Sequence, residues 1–182
     1  MYALKFIKIT GDVDKTKQEI DILSKLDSPY VIEFNKYYSL HDLQCCIQTK
    51  YCLTNLSKII ELKHTFIHQN RGRELELAAI IDYYISCEIL NELNNGIKYL
   101  HDNKIMHGDV KPGNVLIDTD SNNGIFCKLC DFGLSKIFDA NRNYDDCEPD
   151  NIGSPKYKAP EDILVFKSDI YSLVRIIMMV TY

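Results

Sequence analysis

Ile105-Met106-His107-Gly108-Asp109-Val110-Lys111-Pro112-Gly113-Asn114-Val115-Leu116-Ile117 is the densest polar cluster set inside an apolar context in this chain. Its order carries chemistry. Lys111 follows Asp109 by two residues and Asn114 follows it by five, so one tight loop holds a carboxylate, an ammonium and an amide. Those groups can address a hydroxyl, a phosphate and a metal ion respectively. Asp131-Phe132-Gly133 stands seventeen residues past Asn114, a second carboxylate at a strand end with a glycine hinge behind it. Mg²⁺ usually takes one or two carboxylates plus phosphate oxygens. Asn114 and Asp131 suit that pattern.

Upstream, Leu4 to Ile9 alternates apolar and polar residues and reads as a half-buried strand closed by Gly11-Asp12. Asp14 to Leu26 carries Ile20, Leu23 and Leu26 at helical spacing before Asp27-Ser28-Pro29 stops it. Tyr30–Tyr38 and Leu43–Cys52 read as two more strands around a Ser39-Leu40-His41-Asp42 turn, and Ser57–Leu62 as a short helix. Lys63–Glu76 is polar and aperiodic, which predicts a surface insertion. Ile81, Ile85, Ile89, Leu93 and Ile97, widened by Leu90 and Leu100, predict a long helix with one buried face. Downstream come short apolar runs at Asn114–Ile117 and Ile125–Cys130, a polar segment at Asp139–Asp150 and an apolar helix from Ser168. Strand, helix, two strands and then mostly helix imply a small mixed lobe, a helical one, and a ligand cleft between them.

The 182 residues, 46% hydrophobic and 26% charged, describe one ordinary globular domain with enough apolar side chains for a core. Twenty-one Lys plus Arg against 26 Asp plus Glu leave a charge of −5, with no basic surplus for a polyphosphate backbone, so nucleic acid is not an expected partner. Seven cysteines without repeating spacing, no signal-peptide pattern at Met1–Thr10, and no apolar run longer than Ile176–Val180 near the end predict reduced thiols. They also predict no membrane partner and a soluble cytoplasmic or nuclear location.

Several segments, in order, resemble the motifs of eukaryotic protein kinases. Ala3-Leu4-Lys5 resembles the strand that supplies the phosphate-binding Lys, with Glu19 on the next helix as its ion-pair partner. His107-Gly108-Asp109 through Asn114 resembles the catalytic loop, and Asp131-Phe132-Gly133 the metal-binding motif. Ala159-Pro160-Glu161 resembles the close of the activation segment, and Ser168-Asp169-Ile170-Tyr171-Ser172 the start of the anchoring helix, whose Asp holds loop amides. Lys111-Pro112 and Gly153-Ser154-Pro155-Lys156-Tyr157 resemble the serine/threonine branch.

The resemblance implies an α+β, protein-kinase-like two-lobe fold. Residues 1–52 would form a remnant small lobe of about three antiparallel strands plus one helix, and residues 53–182 a partial, mainly helical large lobe. The catalytic loop would span 105–117 and the activation segment 131–161. It implies ATP-dependent phosphoryl transfer to Ser or Thr hydroxyls of protein substrates. Asp109 would act as base, Lys111 on the transferring group, and Asn114 and Asp131 as holders of Mg²⁺. Lys5 and Glu19 would serve the phosphates, and Ala3 of the same strand would join the nucleotide site. Thr49 would close the back of the adenine pocket, Lys50 to Cys52 would offer backbone hydrogen bonds to the base, and Leu116 would be its floor.

Some positions depart from the family pattern. No G-x-G-x-x-G occurs, Met1 stands only four residues before Lys5, and the sequence ends at Tyr182 inside the anchoring helix. A truncated kinase domain is therefore expected, with the apolar face of Ile176–Val180 uncovered and a partner over exposed core faces. A catalytically inactive kinase-like scaffold or regulatory fragment is the alternative. Gly108 replaces the Arg that reads an activation-segment phosphate, which predicts activity independent of that phosphate. Cys127 and Cys130 read as core strand thiols rather than metal ligands, and Cys45-Cys46 as packing. His64 and His68 read as solvated, and Asp145, Asp146, Glu148 and Asp150 as an exposed loop.

Overall fold

The protein is described from a computed structural model covering residues 1–8, 13–40, 44–69, 73–138, 153–160 and 166–181. The elements in chain order begin with β1 (Tyr2–Lys8), α1 (Val13–Lys25), β2 (Phe34–Leu40), β3 (Gln44–Lys50), β4 (Thr54–Asn55) and α2 (Leu56–Gln69). There follow α3 (Arg73–Asp102), β5 (Ile105–Met106), a 3₁₀ turn (Pro112–Asn114), β6 (Val115–Ile117), β7 (Cys127–Leu129), β8 (Lys136–Ile137) and α4 (Phe166–Thr181). This is the expected α+β arrangement of a small antiparallel sheet with one helix followed by a mainly helical part.

The first sheet runs β1-β3-β2, antiparallel throughout. Its central strand buries Cys45, Cys46 and Ile47, so both faces of β3 are covered and the neighbouring cysteines pack on opposite sides. On the edge strand β1, Tyr2, Leu4 and Phe6 are exposed, and the alternate residue Lys5 reaches α1. Helix α1 buries Glu19, Ile22 and Leu23, an i, i+3, i+4 set on one face. The strand expected from Tyr30 begins only at Phe34, because Tyr30–Ile32 is engaged elsewhere. Ile32 N–H donates to Leu129 O (2.9 Å) and Leu129 N–H donates to Tyr30 O (2.8 Å). That short parallel bridge sews the first sheet's layer to β7 of a second sheet, ordered β4-β6-β7.

Two expectations fail in the helical part. Lys63–Glu76 is not an irregular insertion: α2 continues to Gln69 and α3 starts at Arg73, leaving 70–72 outside the described residues. The polar segment is helical because its lysine is tied into the helix packing. Lys63, with its side chain 13% exposed, pairs with Asp82 of α3 at 2.7 Å and donates to Val180 O of α4. A buried aliphatic stem under a satisfied ammonium mimics an apolar residue, and no hydrophobic period records it. His64 lies exposed on this helix. The second failure is the apolar stripe of α3. Leu93, Ile97 and Leu100 are buried, but Ile81 and Ile85 are about half exposed, at 51% and 50%. Residues four apart advance roughly 400° on a helix of 3.6 residues per turn, so the stripe drifts about 160° between Ile81 and Ile97 and leaves the core.

The α4 face also differs from expectation. Ile176 and Val180 are buried, with Val180 O accepting from Ser86 Oγ (3.2 Å) as well as from Lys63. Only the opposite positions, such as Val174 and Met178, stay about half exposed. The core joins Ile22, Val31 and Ile47 to Leu93, Ile97, Val115, Leu129, Phe132 and Ile176, so one apolar cluster runs through both sheets and the helices.

Truncating Ile97 should therefore cost far more than truncating Ile81. In urea unfolding, Ile97→Ala is expected to lose about 2–5 kcal/mol and Ile81→Ala less than about 1 kcal/mol. Equal losses would show that the N-terminal half of α3 is covered.

Candidate active site

The loop after β5 is held from outside itself. Asp169, in the first turn of α4 and 1% exposed, accepts from His107 N–H (Oδ2, 2.9 Å) and Gly108 N–H (Oδ1, 2.9 Å), and its Oδ2 also meets His101 Nε2 at 2.9 Å. His107 Nδ1 accepts Asp109 N–H at 3.3 Å, and its Nε2 lies 3.1 Å from Cys130 O. The same ring lies tilted against buried Phe132, centroids 5.0 Å apart. Gly108 has φ +79°, and a Cβ there would lie 2.6 Å from Leu134 O. The segment after Asp131 therefore packs against the very position where the family pattern has Arg. Ser135 Oγ secures that contact by donating to His107 O at 2.9 Å.

This anchoring presents Asp109, which is 8% exposed and fully engaged. Lys111 Nζ donates to its Oδ2 at 2.6 Å and Asn114 Nδ2 donates to the same oxygen at 3.0 Å. Ser154 donates to Oδ1 from both its N–H (3.1 Å) and its Oγ (2.9 Å), while Lys111 donates to Ser154 Oγ at 3.0 Å. A carboxylate with about four lone-pair sites is thus fixed in one orientation. Asn114 Nδ2 also donates to Asp109 O (2.9 Å), and among the described residues no donor reaches Asn114 Oδ1.

A second cluster brings together residues far apart in sequence. Lys5 Nζ lies 2.6 Å from Glu19 Oε1 and 2.7 Å from Asp131 Oδ1. Asp131 sits in the left-handed region at φ +66°. Burial lowers the Lys5 pKa, but hydrogen bonds and charge from Asp131 and Glu19 outweigh it and leave the amine above its ordinary value. Burial likewise works against the Asp131 carboxylate, yet Lys5, with His107 and Lys111, holds it below the ordinary range. Lys5 and Asp131 therefore keep their charges through neutral pH.

The residues expected around adenine lie where β1 meets β3 and where β3 runs out. Ala3 stands opposite Thr49 in the strand register. Cys52 and Leu116 are partly buried against the core. The N–H of Lys50 is taken by Glu33 O (2.9 Å) and that of Tyr51 by Met1 O (3.1 Å). Among the described residues Cys52 N–H has no acceptor, so of the three backbone N–H groups in this stretch it is the one left unengaged. The Lys50 side chain instead pairs with buried Asp118 at 2.7 Å, which raises the Lys50 pKa. Burial raises the Cys130 thiol to about 12 and pushes Cys127 up as well, so both are protonated thiols. Among the described residues no cluster of His, Cys, Asp or Glu forms a metal cage. Glu161, His68 and the acidic 145–150 stretch lie outside the residues or side chains described.

Sequence reasoning missed Ser154 as a site residue. It is 45 positions from Asp109 and only the fold brings it there, the one signal being its place in Gly153-Ser154-Pro155. Asp118, the side-chain partner of Lys50, gave no signal at all.

The protein kinase domain family matches this chain over residues 1–182. Among curated proteins, the chain is 28% identical over 182 residues to serine/threonine-protein kinase Nek6 of Oryza sativa subsp. japonica, covering 94% of this chain and 30% of that protein. It is 34% identical over 170 residues to serine/threonine-protein kinase AtPK1/AtPK6 of Arabidopsis thaliana, covering 88% and 31% respectively. It is 33% identical over 183 residues to serine/threonine-protein kinase dst3 of Dictyostelium discoideum, covering 95% and 28%. The chain thus spans under a third of the length of these relatives. Among solved structures, the crystal structure of the yeast RNA Pol II CTD kinase CTDK-1 complex is similar in fold. Its TM-score is 0.68 at 23% identity, covering 94% of this chain and 51% of that one. With the family match running from Met1 to Tyr182 and relatives of one kind aligned over most of the chain, this protein belongs to the protein kinase domain family, in its serine/threonine branch.

Proposed function

We propose that this chain transfers the terminal phosphoryl group of ATP to a Ser or Thr hydroxyl of a protein substrate. The observation that carries the reading is the ammonium of Lys5 set between Glu19 and Asp131, 2.6 and 2.7 Å away, beside an oriented Asp109. Phosphoryl transfer needs little covalent chemistry from the protein and depends on positioning and charge.

In this reading Lys5 meets the phosphate oxygens and Glu19 fixes its direction. Cys52 N–H donates to the base, the carbonyls of the same stretch accept from it, Ala3 and Thr49 line its back, and Leu116 lies beneath it. Asn114 Oδ1 and the Asp131 carboxylate are oxygen donors of the kind a hard dication takes, and Lys5 holds only Oδ1 of Asp131. Mg²⁺, when bound, neutralises charge on the phosphate oxygens. Asp109 accepts the proton of the attacking hydroxyl while Lys111, next to it, faces the charge on the group being transferred. Ser154 positions both by donating to Asp109 and accepting from Lys111.

In a peptide phosphorylation assay with ATP and Mg²⁺, Asp109→Asn is expected to lower kcat by about 10²–10⁴-fold, with nucleotide affinity nearly unchanged. Nucleotide binding by the wild-type chain without any Asp109-dependent transfer would favour the inactive-scaffold reading. Ser154→Ala should lower kcat by roughly tenfold, for loss of one hydrogen bond to a charged group, and leave KM for ATP alone, with Ser154→Thr restoring it. If the Thr variant is as slow as the Ala variant, the hydroxyl does not orient Asp109.

A further inference from the structure

A well-formed cavity among the described residues lies away from the Asp109 cluster. It has a volume of about 740 Å³ and is walled by the Leu26–Phe34 connection on one side and the Asp118–Asn123 turn on the other, with Lys50 and Lys128 between them. Lys5, Asp109, Lys111 and Asp131 take no part in it.

Its charges are unevenly answered. Both lysines are turned onto buried Asp118, Lys50 at 2.7 Å and Lys128 at 3.9 Å, and Lys128 also donates to the carbonyls of Pro29 and Ile125. These wall contacts engage Lys128, while burial lowers its pKa. The other carboxylates of the lining, Asp27, Glu33 and Asp120, are exposed and form no ion pair among the described residues. Two internally paired cations thus share the lining with four carboxylates, three of them exposed and without an ion pair among the described residues. Val31, Ile32 and Phe34 add an apolar side to the same wall.

A volume within the roughly 300–1,000 Å³ of ordinary ligand sites, apolar on one side and acidic at the rim, suits a chain that alternates apolar and cationic side chains. An acidic or phosphorylated segment would meet like charge at every free rim group. We propose that this groove docks an extended basic segment of the protein substrate, with Arg or Lys side chains on Glu33, Asp120 and Asp27 and an aliphatic neighbour against Val31 and Phe34. This deepens the proposed function by naming the class of substrate, and as a docking statement it rests on that reading.

The probe is a fluorescein-labelled octapeptide alternating Arg and Leu, followed by anisotropy without nucleotide, beside a control alternating Glu and Leu. The wild-type chain should bind the basic peptide and not the acidic one. The Glu33→Gln/Asp120→Asn double variant should weaken the basic peptide by roughly 3- to 20-fold, while Glu61→Gln, on exposed α2 away from the groove, should leave it unchanged. Binding that both variants leave intact, or equal binding of the two peptides, overturns the proposal. A second arm uses a Ser-bearing substrate peptide with the same basic segment upstream. There the double variant should raise KM for peptide with kcat unchanged. Transfer with an unaltered KM would sink the docking site and leave the kinase reading standing, whereas basic-peptide binding without transfer would sink the kinase reading alone.

Discussion

A single buried carboxylate fixes the geometry on which the rest of the site depends. Asp169 sits in the first turn of α4, where the helix dipole favours a negative charge, and it is answered by two backbone N–H groups and one imidazole. Charge-assisted hydrogen bonds of this kind are roughly twice as strong as neutral ones. Their loss would leave two amides without a partner in a nearly solvent-free place. Because the acceptor belongs to α4 and the donors to the loop after β5, the position of Asp109 is set by helix packing and not by the loop's own preferences. The packing is firm, with Ile176 and Val180 buried and Val180 O taken by Ser86 and Lys63.

The second constraint is electrostatic and joins the two layers. Lys5 comes from the edge strand, Glu19 from α1 and Asp131 from the end of the β7 segment, so their meeting reports the relative placement of the first sheet, its helix and the second sheet. The backbone bridge between Tyr30–Ile32 and Leu129 holds the same seam from the other side. Lys50, at the end of β3, adds a side-chain tie to Asp118 beyond β6. A charge cluster on one side, a backbone bridge and an ion pair on the other keep the cleft between the layers in register.

What was legible in the sequence follows from how local each feature is. The Asp109, Lys111 and Asn114 set lies within six consecutive residues, and Asp131 is marked by its own glycine, so the types and spacing carried the chemistry. Lys5 and Glu19 were legible only through the resemblance of Ala3-Leu4-Lys5 to the kinase strand motif, with Glu19 on the helix that follows. Ser154 was not, since only the return of the chain places its hydroxyl 2.9 Å from Asp109 Oδ1. Lys63 hid a helix inside a segment that read as a loop, because a satisfied buried lysine leaves no apolar period. Ile81 and Ile85 misled in the opposite sense, as a four-residue repeat matches a helical face only over a short run. The resemblance named Lys50 to Cys52 as a stretch offering backbone hydrogen bonds, but the sequence could not tell that the N–H groups of Lys50 and Tyr51 are taken by Glu33 O and Met1 O.

The central claim is that Asp169 holds the loop that presents Asp109. The most direct measurement is amide hydrogen exchange at His107 and Gly108 in Asp169→Ala, with amides of β3 as an internal reference for global unfolding. The account predicts that the two loop amides lose protection by at least about tenfold, matching the loss of one net hydrogen bond to a charged group, while β3 keeps its own. Unchanged protection at His107 and Gly108 would contradict it and place the control of the loop within its own sequence.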